Sequence, residues 1–95
     1  MNGAALTFTR TELALLQLVL RHVANRNITD LSSALEKLSH IRADEESDFA
    51  ASEIAAIDAA FTVISEVGEM PGSLQPDMQA HFHHLKGMFA AAAVD

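Results

Sequence analysis

LALLQLVLRHV, running from Leu13 to Val23, puts apolar side chains at Leu13, Leu15, Leu16, Leu18, Val19, Leu20 and Val23. On a helix these positions fall on nearly every side, and a helix of that kind needs cover all round. The stretch therefore predicts either the central helix of a small bundle or a helix shared with a second molecule. Either way it sets the fold class as all-α, with self-association the expected use of any surplus apolar surface.

Punctuation outward from this stretch divides the rest of the chain. Thr9 followed three residues later by Glu12 is a capping box, with Phe8 and Leu13 at the staple positions, so the first helix is expected over 10–26. Asn25 to Asn27 supply its stop. Thr29 or Asp30 caps a second helix over 29–42, where Ile28, Leu31, Leu35 and Leu38 repeat at three and four residues with Ala34 and Ile41 alongside. A third is expected over 47–67, its acids at the positive end, with Ala50, Ile54, Ile57, Phe61 and Ile64 in one stripe and Ala51, Ala55 and Ala59 in a ridge of small residues. Gly68 ends it, and Met70 to Ser73 form a loop. Pro76 suits the first turn of a fourth helix over 76–93, lined by Met78, Phe82, Leu85, Phe89 and Ala92. No alternating strand pattern is legible, so the expected architecture is a small antiparallel helical bundle of about four helices, dimeric, in one domain over 1–95.

Composition narrows the function. Ninety-five residues leave much surface uncovered, which a dimer would relieve. The absence of Cys excludes disulfides and thiolate chemistry. Neither a signal peptide nor a spanning segment is legible, so no membrane partner and a cytoplasmic location, in a bacterium or a phage-infected bacterium, are expected. The formal charge of −7 is unevenly placed. Up to Ala43 the balance is +2, whereas from Asp44 onward ten acids face only Lys86, a balance of −9. That second half repels phosphate backbones and attracts a basic protein surface, including one that normally holds nucleic acid.

The segment from Leu6 to Leu38, with Thr9, Glu12, Leu13 and Leu16 and then Ile28, Thr29, Leu31 and Leu35, resembles the opening of helix-turn-helix regulators. Such a fold would continue with a recognition helix bearing bases or amides. Asp44, Glu45, Glu46 and Asp48 stand there instead, so direct binding to nucleic acid is not expected.

His83, His84, Leu85, Lys86 and Gly87 are similar to the H-x-L-K-G motif of histidine phosphotransfer domains. The resemblance implies a helical bundle in which His83 accepts a phosphoryl group from a response-regulator aspartate. Helical periodicity puts His83 opposite Met78, Phe82, Leu85 and Phe89, with Lys86 and Gly87 nearby on the outer surface. The same helix offers a second reading, since Asp77, His81 and His84 are spaced for one face and could supply three ligands, a carboxylate and two imidazoles, to zinc or nickel.

No Gly-rich phosphate loop, H-E-x-x-H or Cys nucleophile is present. The sequence thus reads as a small, acidic, non-enzymatic interaction protein with no cofactor. Leu15, Leu18 and Val19 are the candidate contacts for self-association or partner capture, and Glu45, Glu46 and Asp48 those for steering toward a basic partner surface. Adaptors, anti-activators and phage-encoded inhibitors share this size and charge.

Overall fold

The computed structural model describes residues 3–25, 31–70 and 72–94. Its elements in chain order are β1 (Ala4–Leu6), α1 (Arg10–Ala24), α2 (Ser32–His40), β2 (Ser47–Phe49), α3 (Ala51–Glu66) and α4 (Pro76–Val94). The protein is mostly helical, with one two-stranded sheet.

α1 begins where its cap dictates. The Glu12 N–H donates to Thr9 Oγ1 at 3.2 Å, and the Thr9 N–H donates to Glu12 Oε1 at 2.9 Å, so two end-of-helix donors are satisfied reciprocally. Phe8 is buried just outside the cap and fixes the entry of the chain. The helix ends at Ala24 with Asn25 as C-cap, and Arg26 to Asp30, which include the expected caps of the second helix, lie outside the described residues.

α1 packs against α2, α3 and α4. The all-round apolar pattern is therefore met largely from within the chain: Leu15, Leu16, Val19, Leu20 and Val23 are fully buried. α2 is shorter than its apolar repeat suggested, because Ile41 leaves the helix in an extended conformation, with its side chain still half-buried against the core.

The sheet corrects the expectation of helix from residue 47. Ala4, Ala5 and Leu6 pair antiparallel with Phe49, Asp48 and Ser47 respectively. Burial alternates along both strands: Ala4, Leu6 and Phe49 turn inward, and Ala5 and Asp48 turn to solvent. Three residues per strand are too few for alternation to stand out in a sequence, and it is the partner strand that settles the conformation. α3 consequently starts at Ala51. Its N-cap is Ala50, which has no side-chain acceptor, but Glu53 reaches back and its Oε1 accepts the Ala50 N–H at 2.7 Å. At the other end Gly68 follows the C-cap Val67 with φ +77°, the left-handed conformation that stops a helix.

The core is organised around the phenylalanines. All five are buried, and one comes from the α1 entry, one from β2, one from α3 and two from α4. Phe89 touches three of the others, with ring centroids 5.9 Å from Phe8, 6.1 Å from Phe49 and 6.2 Å from Phe61. Phe61 continues the array to Phe82 at 5.1 Å. These offset and edge-on geometries are the favoured ones for aromatic pairs.

Candidate functional site

Three regions carry the residues singled out above. The first is the outer face of α1. Arg10, Thr11, Ala14, Leu18 and Arg21 are exposed there, and Leu18 is 48% accessible, one of three large apolar side chains described as exposed. The sequence grouped Leu15 and Val19 with Leu18, but both are interior, so they are not available to a partner. Of the three, only Leu18 is left exposed. The outer face carries two guanidiniums and no carboxylate, because the single acid of α1, Glu12, is turned inward at 8% exposure.

The second region is the segment between α2 and α3. Asp44, Glu45 and Glu46 are exposed in the turn, and Asp48 is exposed on the outward side of β2. The segment is pinned to the body at two points. The Asp44 N–H donates to the Phe8 carbonyl at 2.7 Å, and the β1–β2 ladder follows directly. Asp44 adopts φ +65°, a left-handed conformation that Asp tolerates better than most residues, and this turns the chain back toward the strand. The sequence placed these acids at the N-terminal end of a helix. The structure places them ahead of α3, in a turn and an edge strand held beside the start of α1.

The third region is the outer side of α4. His83, His84, Gly87 and, beyond them, Ala90 and Ala91 are exposed, while Lys86 is half-buried. Apart from the adjoining residues and the local helix backbone, no atom lies within 4 Å of the position a Cβ would occupy at Gly87, so the surface one turn on from His83 is open. Asp77 is exposed and His81 half-buried. His84 Nε2 lies 3.4 Å from Glu12 Oε2, across the α1–α4 interface. Among the described residues no three His, Asp or Glu side chains come together as a metal ion requires. Asp77, His81 and His84 all stand on α4, and His84 stays largely exposed while reaching the Glu12 carboxylate of α1.

Several polar links were not legible in the sequence. Glu12 serves both as the capping carboxylate and as the neighbour of His84. His22 pairs with Glu69, which follows the stop glycine of α3. Lys37 on α2 lies 3.4 Å from Glu53 Oε1 and 5.3 Å from the centre of the Phe49 ring, joining α2 to both α3 and β2. Each joins residues far apart in the chain, and only the fold brings them together. Among the described residues, no helix is long and apolar enough to cross a membrane. Comparison of the chain with family models, with curated proteins and with solved structures yields no match.

Proposed function

We propose that this protein is a non-enzymatic interaction module of the cytoplasm that works by masking a basic surface of another protein. The observation that carries the reading is the presentation of Asp44, Glu45, Glu46 and Asp48. Four exposed carboxylates lie within five consecutive residues, on backbone fixed by the Asp44 to Phe8 hydrogen bond and by the sheet. Fixed charges lose less conformational freedom on docking than charges on a mobile tail, and they steer a basic surface into register. The outer face of α1, with Leu18 at its centre, supplies the complementary function of self-association or partner capture, in an antiparallel helical bundle that acts as a homodimer. Where the masked surface is one that holds nucleic acid, the module is an acidic mimic.

The test is cross-linking in extract of the source cells, comparing the wild type with a variant carrying Glu45→Lys, Glu46→Lys and Asp48→Lys. Partner cross-links are expected to cluster around residues 44–48, to weaken as salt rises and to disappear in the variant. Retention of the same partners by the variant would overturn the reading. Duplex DNA added as competitor separates the mimic from other masking proteins, since only a mimic is displaced by it.

A second reading rests on the surface of α4. His83 is exposed and the ground beside Gly87 is open, as a phosphoacceptor approached by a response regulator requires. Phosphoryl uptake from a phosphorylated regulator aspartate, lost in His83→Gln, is the expected result for a phosphocarrier; full uptake by the variant removes it.

A further inference from the structure

We infer that two copies of this chain pair through the outer faces of α1, running antiparallel about a two-fold axis between Ala14 and Leu18. The inference rests on the interaction-module reading and names the partner for its α1 face. Thr11, Ala14, Leu18 and Arg21 are all exposed and recur at three, four and three residues, which makes them one stripe along the helix. A two-fold axis at the midpoint sets Ala14 opposite the partner's Leu18 and Thr11 opposite the partner's Arg21. A small residue facing a large one permits helix axes to approach to about 8–10 Å. Each Leu18 thus gains the cover that its own chain does not provide.

Charge selects the same arrangement. A chain of net charge −7 repels its copy unless the surfaces in contact are free of exposed acid. The outer face of α1 has none, and carries Arg10 and Arg21 instead. The acidic segment is held at the N-terminal end of α1 by the Asp44 to Phe8 bond, Phe8 standing three residues before Thr11 in the chain. Antiparallel pairing brings the Arg21 of each copy to that end of the other. The four carboxylates of Asp44, Glu45, Glu46 and Asp48 outnumber the three guanidiniums gathered there, one Arg21 and the resident Arg10 and Arg42. Symmetry makes the contact twice. A parallel pairing would instead lay Arg10 beside Arg10 and Arg21 beside Arg21. One helix face falls short of the ~800 Å² per partner of a standard interface, so the dimer is weak, with dissociation on the order of micromolar and loosened by salt.

Sedimentation equilibrium across a wide dilution series, at low and high salt, tests this. The wild type is expected to show a concentration-dependent dimer that salt weakens. Leu18→Asp is expected to be monomeric with an unchanged circular dichroism spectrum, because the side chain is exposed in the monomer. Arg21→Glu weakens the dimer by roughly tenfold or more. So does Glu45→Lys combined with Glu46→Lys, and an equimolar mixture of the two charge variants recovers a dimer, since each chain then offers the charge the other lacks. A wild type that stays monomeric throughout overturns the pairing and leaves the masking reading standing if the acidic segment still captures its partner. A dimer that survives Leu18→Asp and Arg21→Glu overturns this surface, and shows that copies meet elsewhere. Capture of an acidic helix from another protein by α1, with no self-pairing, overturns the choice of occupant.

Discussion

Gly3 sits against the backbone of β2 more closely than any other residue could. A Cβ built there would lie 2.2 Å from the Phe49 carbonyl oxygen and 3.4 Å from the Ala50 Cα, and because both are backbone atoms neither can rotate away. Gly3→Ala must therefore shift the first strand off its partner. The expected cost is about 1–3 kcal/mol in urea denaturation, accompanied by faster amide exchange over residues 4–6 and 47–49. An unchanged midpoint would mean that the pairing contributes little. Nothing in the sequence marks this glycine, since the atoms it must avoid lie more than forty residues away. Thr9 and Glu12 are the opposite case, because a cap is made between residues three apart and its chemistry can be read directly. Leu15, Leu18 and Val19 fall between the two. Their apolar character was plain, but which of them remains exposed depends on where the other helices lie.

At the scale of elements, legibility followed the same division between local and distant causes. Four helices were expected and four are present among the described residues, with α1 and α4 starting at the expected residues and Gly68 following the end of α3. These boundaries are set by capping side chains, a proline at the first helical position and a left-handed glycine, each acting within a turn of its own position. The start of α3 was missed because Ser47 to Phe49 obey a strand partner at the N-terminal end of the chain, more than forty residues away. Helix capping also gives a quantitative expectation. Thr9→Ala removes the acceptor for the Glu12 N–H and leaves a carboxylate next to His84 with half of its cap gone. It is expected to cost about 1 kcal/mol. Ser39→Ala is the control, since that exposed hydroxyl only returns a bond to the Glu36 carbonyl within α2 and its loss should fall within the range of an ordinary surface change. Thermal melts of both variants by circular dichroism give the comparison, and equal shifts would show that the cap is not a stability determinant.

For the molecule as a whole, the five phenylalanines decide whether the elements form one body. Phe8 and Phe49 come from segments that the helical pattern alone would leave outside the core, the entry to α1 and the edge strand, yet both rings meet Phe89 of α4. Phe89 also meets Phe61 of α3, so a single side chain connects the sheet, the start of α1 and the α3–α4 pair. Deleting a buried Phe side chain costs about 3–5 kcal/mol, a large fraction of the ~5–15 kcal/mol that separates a domain from its unfolded state. Phe89→Ala is therefore expected to lower the denaturation midpoint by more than any surface variant. The loss should reach the sheet as well as α4, because Phe8 and Phe49 lose their shared neighbour. Phe82→Ala, whose ring meets Phe61 at the other end of the array, removes the same number of atoms without touching Phe8 or Phe49. Hydrogen exchange separates the two outcomes. If Phe89 joins the layers, its variant loses protection at 47–49 before global unfolding, whereas the Phe82 variant keeps it; identical patterns would mean that the core responds as an undivided unit and that no single ring connects it.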